Sequence, residues 1–308
     1  MKMLLRPQKA RIHDETGSAL PLAGLTLFAL LAAAAIALDG GAVFAARSHL
    51  QKTANAAVLS GATELTHTSS AVSAVIQTIL RDHNEAASLQ SSSIQLGQTV
   101  RVKLSKQVPL DFAGVLGRSA VTVEAEAAAQ IAPMGGATGV APLGIDDSIQ
   151  LEYGKDYQLK VDQTGVSAGN FGILALGGNG AKTYEYNLMH GYGNEVDVGD
   201  IIDTQTGNIA GYTRSGVQYR IDQSPYPPGD TSHPDDPRII LVPTYKPYDY
   251  SSNQLKHIQV TGFAYFYISA PMSSKDTSIT GQFIKKTGAG SIKPGALDKG
   301  AYAIRLIE

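Results

Sequence analysis

Several groups of residues have types and spacings that could do chemistry. Asp276-Thr277-Ser278-Ile279-Thr280 has the D-x-S-x-[ST] spacing of a metal-dependent adhesion site. Such a site needs an apolar parallel strand before it, with oxygen ligands gathered at the strand's end. Pro271-Met272-Ser273-Ser274-Lys275 precedes it instead, which fits a polar hairpin loop. Asp146-Asp147, and Asp230 with Asp235-Asp236, offer paired carboxylates but not the regular oxygen spacing of a dedicated calcium loop. His190 lies in the Gly-flanked turn Met189-His190-Gly191-Tyr192-Gly193, with Asp197 and Asp200 downstream. A catalytic His needs an acid and a nucleophile beside it, and spacing alone does not supply that relation. Gly177-Gly178-Asn179-Gly180 lacks the strand–turn–helix setting of a phosphate loop and reads as a hairpin turn, since Asn and Gly tolerate positive φ. No G-x-S-x-G nucleophile elbow and no H-E-x-x-H zinc motif occurs. The reading is of no catalytic residue, no metal ligand and no cofactor. One further stretch, Thr244 to Tyr250, presents Tyr245, Tyr248 and Tyr250 either as a contact loop or as one face of an edge strand.

Whatever these residues do is positioned by what precedes them. No charge falls between Glu15 and Asp39, and Gly17–Leu38 gives roughly 22 uncharged residues, enough helix for a hydrocarbon core of about 30 Å. A buried core helix would alternate polar and apolar faces. A cleaved signal peptide, with Val43-Phe44-Ala45 as its cleavage site, would have a shorter apolar core of about 7–15 residues. The sequence therefore favours a retained transmembrane helix over 17–38. Lys2, Arg6, Lys9 and Arg11 precede it, while only Arg47 and Lys52 follow closely. The positive-inside rule then places tail 1–16 in the cytoplasm and the bulk of a single-pass chain outside the cell membrane. Ala29, Ala33, Ala37, Gly41 and Ala45 recur every four residues, a small-residue stripe on which a second helix, including a second copy of this one, could pack closely.

Composition narrows the function. The net charge of -2 gives no reason to expect a nucleic acid partner. With no cysteine, the chain has no disulfides and no thiolate metal ligands. All 14 tyrosines lie at or after Tyr153, whereas the earlier chain is rich in Ala, Ser, Gln and Val. That shift suggests a domain boundary, with 133–143, including Met134 to Gly139, as a Gly-rich linker.

Along the chain, helical spacing of Leu50, Ala54, Ala57 and Val58 continues the first helix to about Ala62, with Gly40-Gly41 weakening it. A second amphipathic helix is expected over Ala71–His83. Period-two runs at Ile94–Leu96, Val100–Leu104 and Val121–Ala125 read as strands. Region 39–132 thus reads as a small α+β stem region. Region 144–308 reads as all-β, with strands at Ile149–Tyr153, Tyr157–Val161, Phe171–Leu176, Tyr184–Leu188, Gln218–Ile221, Arg238–Pro243, Leu255–Ile268, Ser278–Ile284 and Tyr302–Ile307. Turns at Gly177–Gly180, Thr206–Asn208 and Pro225–Pro237 punctuate it. The expected class is α+β: an apolar helix, a small α+β region, then a sandwich or barrel-like β domain.

Three stretches bring a family into view. Glu15-Thr16-Gly17-Ser18-Ala19 enters the apolar helix, and Leu38-Asp39-Gly40-Gly41 marks its exit. Ala46-Arg47-Ser48-His49-Leu50-Gln51-Lys52-Thr53-Ala54-Asn55-Ala56-Ala57-Val58-Leu59-Ser60-Gly61-Ala62 follows. The chain resembles the TadE/TadG-like proteins of the Tad (Flp) pilus-assembly system. The resemblance is specific over about the first 65 residues and weaker to about 130. It implies a non-enzymatic, single-pass membrane protein serving pilus assembly, secretion or adhesion, with pilin or pilus-assembly proteins as partners. Substrates of the prepilin peptidase carry Glu at the fifth mature position; counted from Ser18, that position is Leu22. The TadG-like branch is therefore the better match, and an unprocessed N-terminus is expected. The alternative is a membrane-anchored adhesin or ligand-binding module outside any pilus.

Overall fold

The computed structural model describes residues 19–160, 171–205, 209–251 and 254–307. The chain divides into two compact units, Met1–Lys52 with Leu104–Ala125, and Thr53–Lys103 with Glu126–Glu308.

Helix α1 spans Ala19–Ala62 without a break. Gly40 and Gly41 lie inside it, both with open space around them. The roughly 1 kcal/mol that each glycine costs relative to alanine is not enough to interrupt so long a helix. Its first half is exposed from Leu20 to Leu38 apart from a half-buried Ala35, and among the described residues α1 is the one helix long and apolar enough to cross a membrane.

In the first unit, β2 (Thr99–Pro109) and β3 (Ala120–Ala137) contribute the segment 104–125. Leu50, Leu104, Val108, Val123 and Ala125 are its buried apolar residues. The turn between the strands is closed by Leu110 N–H donating to Ser119 O at 3.0 Å, and it contains a short 3-10 turn, Ala113–Leu116.

The second unit begins with the end of α1, where Ala54, Ala57, Val58 and Ala62 are buried. Helix α2, Ser69–Asp82, starts at Thr68, whose hydroxyl accepts from Ala71 N–H. That cap satisfies one of the amides a helix start leaves without partners. Its buried stripe of Val72, Ile76 and Leu80 meets α1 at Gly61; a Cβ there would stand 3.0 Å from Ile76 Cγ1.

β1 (Leu89–Gln95) precedes β2, and after β3 come β4 (Leu143–Asp146), β5 (Asp156–Lys160) and β6 (Phe171–Ile173). Helix α3 (Ala181–His190), β7 (Val196–Asp197), β8 (Ile201–Asp203) and helix α4 (Ala210–Gln223) follow. The long hairpin β9 (Ile239–Ser251) and β10 (Gln254–Ile268) leads to β11 (Ser278–Ile284), β12 (Lys286–Gly288), β13 (Ser291–Ile292), β14 (Leu297–Asp298) and β15 (Ala301–Ile307). They form two curled sheets. One runs β1-β2-β3-β15-β12, with β7 and β13 also on β3. The other runs β5-β11-β10-β9-β4-β6, with β8 and β14 on β10.

The second sheet is covered on both faces. Ala264, Phe266 and Ile268 of β10 join Ile279 and Phe283 of β11 in one core, closed by Tyr184, Leu188 and Val217 from the two helices. Phe263, Tyr265 and Tyr267 point the other way, into a core shared with Met134, Ala137, Ala301 and Ala303. Burial on both faces gives β10 its continuous apolar run.

The α+β class is as expected, but several elements differ. Tyr184–Leu188 and Gln218–Ile221, expected as strands, belong to α3 and α4. Tyr184, Asn187 and Leu188 are buried at helical spacing, as are Ala210, Thr213, Val217 and Arg220. Polar residues in the inward stripes hide the 3.6 period from a hydropathy reading. Gly216 is needed where α4 crosses α3, since a Cβ would lie 2.8 Å from Leu188 Cδ2. Ile149–Tyr153 is a loop rather than a strand; β4, just before it, takes the place in the sheet. Met134–Ala137 is not a linker but the end of β3, paired with β7 and β13. Its glycines permit tight packing, because a Cβ on Gly135 would stand 2.5 Å from the Lys293 backbone nitrogen. The division between compact units accordingly falls within α1, β2 and β3 rather than at 133–143. Tail 1–16, with Lys2, Arg6, Lys9 and Arg11, and the turn Thr206-Gly207-Asn208 lie outside the described residues.

Candidate functional site

The most distinctive arrangement of side chains is on α1. Ala29, Ala33, Ala37, Gly41 and Ala45 are all exposed, and so are the nine large residues Leu20, Leu22, Leu25, Leu27, Phe28, Leu30, Leu31, Ile36 and Leu38. Among the described residues, neither the stripe nor the leucines are buried in packing.

The apolar run ends at a buried acid. Asp39 is only 9% exposed, and its carboxylate accepts three successive backbone N–H groups. Asp111 N donates to Oδ1 at 3.1 Å, Phe112 N to Oδ2 at 3.2 Å and Ala113 N to Oδ2 at 2.7 Å. These amides open the 3-10 turn Ala113–Leu116, whose N-cap residue Phe112 makes no side-chain capping bond of its own. Asp39 caps it from another element, 72 residues earlier in the chain. Hydrogen bonds to an ionised group are worth about 1.5–3 kcal/mol. In the sequence Asp39 stands out as the charge that ends the apolar run, but no residue type in 110–118 marks that segment as its partner.

The other candidates have structural duties. His190 lies between the rings of Tyr186 and Tyr219, at centroid distances of 4.7 and 5.1 Å. Asp197 instead pairs with Lys293 at 2.5 Å, and Asp200 accepts the Asp197 N–H at 2.8 Å. Asp146 accepts from Ser148 N, and Asp230 from Ser232 N, each at 2.9 Å. Asp235 accepts from the Tyr226 hydroxyl at 2.8 Å. Asp236 forms a buried pair with Arg238, whose Nη2 is 2.7 Å from Oδ2. Asp276 accepts the Ser273 N–H in the turn before β11, an antiparallel strand in the wrong setting for an adhesion metal site. Among the described residues no group of three or more His, Cys, Asp or Glu is placed to hold a metal ion.

Gly177–Gly180 is not a hairpin turn; it leads from β6 into α3, with Gly180 at the N-cap. The helix that the sequence reading found missing is present, although β6 pairs antiparallel with β4. The Gly180 N–H donates to Gln205 Oε1 at 3.0 Å, so a side chain occupies one amide of that start. The tyrosine stretch is not a loop but part of β9. Tyr245 is 1% exposed and belongs to the core, whereas Tyr248 is 55% exposed. Register shifts between β9 and β10 fall in this stretch, so simple alternation does not hold there. Tyr250 lies in the same strand.

A cleft of about 810 Å³ is lined in part by Glu64, His67, Tyr153, Lys285 and Lys286. Its cations are engaged. The Lys286 ammonium lies 4.8 Å from the centre of the Tyr265 ring and donates to Pro234 O at 2.5 Å, and burial holds its pKa below the usual lysine value. The Lys285 ammonium lies 4.9 Å from the centre of the Tyr153 ring.

Residues 17–64 match the model of the family described as "Putative Flp pilus-assembly TadE/G-like". The matched span covers the exposed apolar half of α1, Asp39 and the remainder of that helix. No curated protein and no solved structure matches the chain.

Proposed function

We propose that this chain is a membrane-anchored, non-catalytic component of Flp-type pilus assembly. In this reading α1 holds the protein in the cell membrane, the N-terminus is cytoplasmic and the two sheets lie outside. One observation carries it. The stretch that matches a pilus-assembly family begins with a run, Leu20 to Leu38, whose nine large apolar side chains are all exposed among the described residues. Nine such residues in water are costly, and in lipid they are at home.

A reporter fused to the last residue is expected to be active only outside the cytoplasm, with the protein in the membrane fraction. Deleting the gene is expected to reduce surface pili. A cytosolic, soluble protein overturns the anchor. Normal piliation with lost attachment to a surface favours the adhesin reading instead.

The small-residue stripe is proposed as the face that meets another membrane helix, from a pilus-assembly protein or a second copy. Ala33→Leu with Ala37→Leu is expected to weaken crosslinking in membranes several-fold and to lower the number of pili. Membrane retention should persist, because leucine is more apolar than alanine. Unchanged crosslinks and pili would leave the stripe a passive part of the span.

A further inference from the structure

We propose that the turn between β2 and β3, residues 110–118, is a second membrane contact, seated in the phospholipid head-group layer beside α1 and held there by Asp39. The inference rests on the anchor reading and adds a contact that the family match at 17–64 does not cover.

The argument starts from depth. From Leu20 to Asp39 an α-helix rises about 28 Å, close to the thickness of a hydrocarbon core. If the apolar run fills that core, Asp39 stands at its outer boundary. The amides of Asp111, Phe112 and Ala113 lie within hydrogen-bonding distance of the Asp39 carboxylate, so the turn sits at the same level. Both segments belong to the same compact unit.

The chemistry of the turn suits that level. Irregular backbone near hydrocarbon must have its polar groups satisfied from within the protein. Asp39 takes three of the turn's amides, and the Gly117 and Arg118 N–H groups donate to Gly114 O and Ala113 O. From Leu110 to Gly117 the sequence carries one charge, Asp111. Phe112 is 45% exposed, an aromatic ring presented outward from a satisfied backbone. Arg118, exposed at the end of the turn, has the reach to meet phosphate groups. An exposed Phe44 lies about 7 Å further along α1 than Asp39, adding a second ring beyond the apolar run. The occupant is therefore the bilayer that holds α1, since Asp39 fixes the turn at the end of the helix's apolar run and the Phe112 ring is exposed there.

The chain has no tryptophan, so a single one can be placed as a reporter. The full chain is reconstituted in vesicles of phosphatidylcholine and phosphatidylglycerol carrying bromine at defined acyl positions. Phe28→Trp is expected to be quenched best by deep bromines and Tyr248→Trp only by aqueous iodide. Phe112→Trp is expected to be quenched best by the shallowest bromines and shielded from iodide at least two-fold relative to Tyr248→Trp. Combining Phe112→Trp with Asp39→Asn should cut the shallow quenching at least two-fold, leaving Phe28→Trp unchanged in the same background. Iodide-accessible, bromine-insensitive Phe112→Trp beside a deeply quenched Phe28→Trp overturns the inference while the anchor stands. Shielding from iodide without bromine quenching points to a protein contact, such as a second copy, and also overturns it. Unquenched Phe28→Trp removes the anchor and this inference together. Shallow quenching unaffected by Asp39→Asn refutes the role given to Asp39.

Discussion

Leu27→Arg combined with Leu31→Arg is expected to release the protein from membranes. The two residues are one helical turn apart near the middle of the exposed run. The nine large apolar residues each favour insertion by about 0.3–0.6 kcal/mol, on the order of 3–5 kcal/mol together. Each arginine near the centre costs about 2.5–3.5 kcal/mol, and the two lost leucines add about 1 kcal/mol more. The balance turns from favourable to unfavourable by a few kcal/mol. Flotation of membranes after alkaline extraction reads the result directly. A double variant that still floats with the bilayer would mean that α1 is held by protein rather than lipid.

The second large effect belongs to the buried pair just before β9. Arg238 and Asp236 have side chains 3% and 0% exposed. Arg238 Nη2 also donates to Tyr226 O at 3.1 Å and Pro227 O at 3.0 Å, and the guanidinium lies over the Tyr267 ring. One side chain thus ties the 225–237 segment to the start of β9. Arg238→Met is expected to cost about 3–5 kcal/mol at neutral pH, because it leaves Asp236 buried without its counter-ion. Adding Asp236→Leu should recover part of that loss, since replacing both charges removes the unpaired one. The pH dependence has a definite sign. Burial pushes the Asp236 carboxyl up, but the guanidinium, the Arg238 N–H and Ser224 together hold it below the usual carboxylate value. In the parent protein this contribution is present above about pH 4 and is lost as pH falls through the depressed folded value. In Arg238→Met burial is less opposed, so protonation relieves the strain and the gap to the parent narrows in acid. Urea unfolding of the reconstituted full chain at pH 7 and pH 4 measures both effects. A loss below 1 kcal/mol at pH 7, or one that grows in acid, contradicts this account.

Much of this molecule was legible before its coordinates. The apolar helix, its continuation to Ala62, the amphipathic α2 and the strand Ser278–Ile284 follow directly from spacing and charge. β10 was legible for a different reason, because burial on both faces forces an unbroken apolar run. α3 and α4 were not, because their inward faces carry Asn187, Thr213 and Arg220. Asn187 donates to Leu176 O at 2.7 Å and Arg220 to Leu188 O at 2.5 Å, partners set by tertiary structure alone. The strand at Met134–Ala137 was hidden similarly. Glycine there answers to close neighbours, which a single sequence does not display. For the candidate site, the stripe and the apolar run were readable as types and positions. Asp39 was not, since its partners at 111–113 are distant in sequence and contribute only backbone amides.

The pairing of β15 with β3 has a consequence in time rather than in space. Tyr302 stands opposite Pro133, and Ile307 opposite Ala128, so the strands are separated by about 170 residues of intervening chain. β15 lies between β3 and β12, not at the margin of the sheet. As the chain is made from its N-terminus, β3 emerges long before the strand that completes it. Loop-closure entropy over that distance makes this pairing a late event. Until it happens, the far half of β3 offers open amides and carbonyls to any other extended chain. Completion of this sheet thus waits for β15, and the open part of β3 is the point at which a holdase chaperone would have most to protect.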